Sequence, residues 1–138
     1  MPPGKVTCMA GFSIVNLRTD VEDSAPKFGF APALKARFAK SALESKHLGV
    51  SLQRIAPDEV SPFAHRHGQQ AEELYVVLAG NGRVKLDDEY RDIAEWDVVR
   101  VEGSILRSFE AGSEGLELLA FGEIHPQDAE IVTPDAAS

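Results

Sequence analysis

The sequence predicts an all-β fold, a barrel or jelly roll, on three observations. From about residue 46 short apolar segments alternate with turn residues at regular spacing. The run 74–79 (Leu-Tyr-Val-Val-Leu-Ala) is apolar on both faces, as in a strand enclosed by a sandwich or barrel. Arg83-Val84-Lys85-Leu86 alternates with a period of two, the pattern of a half-exposed strand. Many short, evenly spaced strands belong to closed all-β architectures.

Taken in order, the elements begin with residues 6–15, a short apolar run after Lys5. It contains Gly11 and Ser13 and leads into Arg18 and Asp20 without a small-residue cleavage site, so it reads as a folded edge segment. Pro26 and Pro32 interrupt the stretch between this segment and residue 33. Residues 33–43 contain good helix formers, yet Leu34, Ala36 and Phe38 alternate with Lys35 and Arg37, and the β character of the rest favours a strand. The first clear strand carries Leu48, Val50 and Leu52 on one face and ends at Ala56-Pro57-Asp58. After the strand 74–79, Asn81-Gly82 predicts a turn, with 83–86 as its hairpin partner. Asp87-Asp88-Glu89 turns the chain again. It lacks spaced oxygen ligands, so it is a solvated turn and not a calcium loop. Further strands are expected at 90–93, 98–101, 106–110 and 116–121, with turns at 95–97, 102–104 and 111–115. Beyond Phe121 the chain is acidic and small, and its end is expected to fray. The expected organisation is an amino-terminal segment, 1–45, packed on a barrel, 46–122, with a tail, 123–138.

Composition narrows the partners. A chain of 138 residues with 43% hydrophobic content suits one domain with a single core. A net charge of −8 works against nonspecific binding to nucleic acid or anionic membrane, and no stretch has the length of a membrane span. Small molecules or other proteins are the expected partners. The lone Cys8 cannot form an internal disulfide, which makes the cytoplasm the default compartment. The apolar segment 12–17 has no partner in the core pattern, so pairing across a homodimer is expected.

The chemistry concentrates in His65-Arg66-His67 and the following Glu72-Glu73. Two imidazoles one residue apart share one side of an extended strand, and a carboxylate enters on the next β segment, so three metal-ligand types can converge. His-x-His by itself is weak, since any exposed turn can carry it. The order His65, His67, Glu73, Gly80 resembles the first conserved motif of the cupin superfamily, and the strand order over roughly 46–122 agrees with it. Five residues separate His67 from Glu73, one more than the usual pattern. Glu72 restores that spacing but breaks the distance to Gly80. Glu73 is preferred, because a slip is absorbed more easily in the turn at Gly68-Gln69-Gln70 than within a core strand.

The segment matching the second cupin motif departs from it. Trp96 stands where the family has Gly, Glu102 where it has Pro, and Arg107 where it has the third metal-binding His. A guanidinium offers no lone pair to a metal. Two readings remain open. In one, His65, His67 and Glu73 hold a divalent ion (Fe, Mn, Zn or Ni) in the facial arrangement of two His and one carboxylate, and Arg107 anchors the carboxylate of a small anionic ligand. Tyr75, which reads first as a core or rim aromatic, is retained with Arg107 as a candidate ligand contact. In the other reading the module is metal-free and non-catalytic, with Glu73 and Arg107 forming a structural ion pair. His47 and His125 read as exposed or capping imidazoles and Cys8 as a small apolar group. No nucleophile has an adjacent base, which argues against a serine or cysteine hydrolase, and whether the chain is an enzyme stays open.

Overall fold

The computed structural model describes residues 7–9, 11–68, 71–123 and 130–132. Its strands are β1 (Thr7–Met9), β2 (Phe12–Ile14), β3 (Leu34–Phe38), β4 (Leu48–Ile55), β5 (Ala64–Arg66), β6 (Glu72–Leu86), β7 (Glu89–Ala94), β8 (Val98–Glu102), β9 (Arg107–Glu123) and β10 (Glu130–Val132). A helical turn, α1 (Lys40–Leu43), and a 3-10 turn at Ala25–Phe28 are the helical pieces among the described residues. The all-β expectation holds.

Two long antiparallel strands, β6 and β9, organise the molecule. The first half of β6 and the second half of β9 pair from Glu73↔Gly122 to Gly80↔Leu116, and the other halves pair from Gly82↔Ala111 to Leu86↔Arg107. The first pairing extends through β4 and β3 on one side and β8 on the other. The second extends through β5 and β10 on one side and β7 on the other. The sheet is thus two walls that share the same two strands, closed over a core of Ile55, Val77, Val84, Phe109, Leu116 and Leu118.

The turns expected at Asn81-Gly82 and 111–115 are not reversals, because β6 and β9 run through both. The register slips between Gly80 and Gly82, and the two strands bend there together. Glycine is needed for close approach rather than for chain reversal. A Cβ on Gly80 would lie 2.0 Å from the Gly115 carbonyl oxygen, and one on Gly82 would lie 2.0 Å from that of Glu110.

Residues 33–43 depart from the expectation of a single strand. They divide, with alternation producing β3 and the helix formers closing into α1. Within the tail, β10 lies antiparallel to β5; the end expected to fray, residues 133–138, and His125 lie outside the described residues. On β4 burial does not follow a single face, since Ser51, Leu52 and Gln53 are all buried. Leu48 is 63% exposed, whereas Ser51, Gln53 and Ile55 are buried and Gln53 Nε2 donates to Ser51 Oγ at 3.1 Å. The interior therefore accepts polar groups when they are paired.

The strands β1 and β2 form a separate two-stranded ladder. The chain after them is tied to the barrel by Arg18 Nη2 donating to Glu117 Oε1 at 2.6 Å and by Asp23 Oδ1 accepting from the Ala25 and Ala36 amides at 3.0 and 2.9 Å. Trp96 forms the turn between β7 and β8 with a φ of 71° and is 73% exposed.

Candidate metal centre

Local folding sets the cluster. β5 is extended, so Phe63 and His65 project the same way, and their rings stack with centroids 5.6 Å apart; Phe30 stacks on Phe63 in turn at 5.1 Å. His67 follows β5, with its amide bonded to the Gly103 carbonyl at 2.7 Å. On β6, alternation sends Glu73 and Tyr75 inward and Glu72 outward. Glu72 is exposed and accepts a hydrogen bond from Arg100 Nη1 at 2.9 Å, so the structure points Glu73, and not Glu72, at the histidines. Directly across from Glu73 and Tyr75 on β9 stand Gly122 and Ala120, which leave both polar groups uncrowded.

The groups converge on one oxygen. Glu73 Oε1 lies 3.2 Å from His65 Nε2, 3.1 Å from His67 Nε2 and 2.6 Å from the Tyr75 hydroxyl, which donates to it. The side chains of His65, His67 and Glu73 are 15%, 19% and 21% exposed, so the cluster is partly open to solvent. Arg107 begins β9 directly opposite His65 and is fully buried. Its Nη2 donates to the Glu102 carbonyl at 2.8 Å, and its Nη1 lies 3.8 Å from Glu73 Oε1, too far for a hydrogen bond. Two neighbouring cavities, of about 260 and 510 Å³, have none of His65, His67 and Glu73 in their linings.

Charge follows from these contacts. Burial opposes ionisation of Glu73, but hydrogen bonds from His65, His67 and Tyr75 together outweigh it and hold the carboxyl far below the usual carboxylate range. Burial lowers the pKa of His65 despite the neighbouring Glu73, which favours the neutral imidazole that a metal needs. Burial, reinforced by the charge on Glu73, pushes the Tyr75 phenol well up, so it remains a donor.

The donor set fits a divalent ion. Ligand atoms about 2.0–2.2 Å from one ion, at angles between octahedral and tetrahedral, stand roughly 3.0–3.5 Å apart. The two His–Glu separations, 3.1 and 3.2 Å, lie in that range, and the three ligand atoms fall within 4.8 Å of one another. One carboxylate oxygen has fewer lone pairs than the groups aimed at this one.

No family model matches the sequence, and no curated protein is similar to it. Solved structures are. Oxalate decarboxylase from Bacillus subtilis aligns with a TM-score of 0.61 and 22% identity over 71% of this chain, which spans 28% of that one. A cupin protein from Bacteroides fragilis aligns at 0.59 and 21% identity, covering 75% of this chain and 86% of the other. The chain has the cupin fold. A polyketide cyclase from Streptomyces resistomycificus aligns at 0.69 with 15% identity, over 86% of this chain and 84% of that one.

Within the cupin fold, the departures in the second motif acquire structural meaning. Trp96, at the position of a glycine, adopts the left-handed backbone that glycine would take without strain. Arg107, at the position of a histidine, reaches the cluster and is buried beside it. The structure brings all five candidate residues together, with Arg107 inside rather than on an open rim. Sequence reasoning did not foresee the hydrogen bond from Tyr75 to Glu73. Their i, i+2 spacing on one strand face was the available signal.

Proposed function

We propose that this cupin-fold protein binds a divalent metal through His65, His67 and Glu73 and uses the centre to bind a small anionic molecule. The convergence of both imidazole Nε2 atoms on Glu73 Oε1 at 3.1–3.2 Å carries the reading. The ion would supply a Lewis-acidic centre with open positions. Tyr75 would orient the ligating carboxylate through its hydroxyl, as outer-shell donors do at metal sites. The buried Arg107 would add the positive charge that selects an anion. With a 2+ ion, neutral histidines, ionised Glu73 and Arg107, the centre carries a net +2, which favours an anionic ligand over a neutral one. The function proposed is binding, with or without turnover of the ligand. The setting proposed is cytoplasmic, and the assembly a homodimer of barrels, each with its amino-terminal segment of 45 residues and its tail from residue 123.

The test is elemental analysis of protein purified without an affinity tag, followed by His65→Ala/His67→Ala. Stoichiometric metal that disappears in the double variant, with the fold retained by circular dichroism, supports the reading. Metal that survives both changes refutes it. A second reading, a metal-free binding module, draws on the same oxygen: Glu73 is already hydrogen-bonded by Tyr75 and has Arg107 nearby. Metal-free protein whose melting temperature is indifferent to added divalent ions would favour that one.

A further inference from the structure

Arg107 is a costly side chain to leave as it stands. It is 1% exposed, and its Nε and Nη1 have no hydrogen-bond partner among the described residues, while Nη2 is taken by the Glu102 carbonyl. A buried guanidinium cannot relieve this by losing its proton. Glu73 does not satisfy it either, since Oε1 stands 3.8 Å from Nη1 and already takes the Tyr75 hydroxyl. An anion is the group that would complete it.

The same residue would leave a metal bound by His65, His67 and Glu73 short of a protein ligand. Three protein donors leave coordination positions open, and Arg107 occupies the place where the fold's usual pattern has a further His. Arg107 stands opposite His65, and its unpartnered Nη1 lies 3.8 Å from Glu73 Oε1, so its free donors adjoin the cluster. We propose that a small carboxylate held by Arg107 supplies the missing ligand, so that metal and anion bind interdependently at His65, His67, Glu73 and Arg107. This rests on the metal-binding function proposed for the cluster and adds to it the class of the co-ligand and an order of dependence. The carboxylate would place one oxygen toward Arg107 and the other toward the ion, satisfying both with one group. By linkage, whatever factor the anion adds to metal affinity the metal adds to anion affinity.

The experiment titrates chelator-stripped, tag-free protein with Co²⁺ by calorimetry, in chloride buffer and again with saturating acetate, and records the visible absorption of the Co²⁺ complex in each. The expected result is Co²⁺ binding about tenfold tighter or more with acetate, with an altered absorption band. Arg107→His supplies an imidazole in place of the anion, and its Co²⁺ affinity should no longer respond to acetate. Arg107→Gln, which supplies neither ligand nor anchor, should bind weakly and also ignore acetate. Equal Co²⁺ affinity of the wild type with and without acetate overturns the proposal and leaves the metal reading intact. An acetate effect that persists in both variants overturns the role of Arg107. Absence of Co²⁺ binding under both conditions overturns the metal reading and this proposal together.

Discussion

Glu73→Gln in metal-free protein isolates the charge that faces Arg107. The variant keeps the shape of the side chain and an oxygen for the Tyr75 hydroxyl but removes the anion 3.8 Å from Nη1. At an effective dielectric constant of about 20, opposite charges at that distance attract by roughly 4 kcal/mol. Part is recovered because a neutral amide is easier to bury than a carboxylate, so a cost of about 3 kcal/mol is expected, in line with breaking other buried pairs. For a domain of this size that lowers the melting temperature by roughly 10 °C. Arg107→Met in the same chain removes the stranded cation, and Glu73→Gln/Arg107→Met should return to within about 1 kcal/mol of the wild type. The assay is urea denaturation with a chelator present, followed by far-ultraviolet circular dichroism. A Glu73→Gln cost below about 0.5 kcal/mol, or single-variant effects that simply add, would show that the two charges do not depend on each other.

Three further outcomes are expected. Trp96→Gly should stabilise the protein by about 0.5–1 kcal/mol, because glycine relieves the left-handed strain and the exposed ring gives up little packing; a destabilised variant in thermal melts would contradict this. In acid the metal-free protein should weaken in two stages of the same sign. Its lowered His65 pKa contributes stability present above about pH 6.5 and lost as pH falls through the folded value, and the lowered Glu73 pKa contributes stability present above about pH 4.3 and lost below it. Urea midpoints that do not fall between pH 7 and pH 3 would rule this out. Phe12 and Ile14 are 56% and 64% exposed on a ladder outside the main sheet, so light scattering should report a dimer; a monomer at micromolar concentration refutes the assembly.

Much of the strand order was legible, and β7, β8 and the centre of β4 lie where the pattern puts them. What misled was glycine. Asn81-Gly82 and the small residues at 111–115 carry the chemistry of turns, and local sequence cannot distinguish a reversal from two bent strands pressed together at Gly80 and Gly82. Burial along β4 could not be read from apolar alternation for a different reason. Ser51 and Gln53 satisfy each other by a side-chain hydrogen bond, and hydropathy counts only what each residue would cost alone. At the site, the choice of Glu73 over Glu72 followed from strand parity. The burial of Arg107 did not, because it depends on β9 beginning opposite His65 on a strand more than forty positions away in sequence.

Trp96 is the chain's one tryptophan, and it stands in solvent at the turn between β7 and β8. Intrinsic fluorescence excited at the indole band will therefore report that turn and little of the barrel. Native emission should already be red and readily quenched by iodide, with only a small spectral change on unfolding. Placing an indole at Phe109, which packs against Tyr75 in the core, would move the optical signal inside. Trp96→Gly would then clear the background, leaving a single emitter whose colour follows the closing of the two walls.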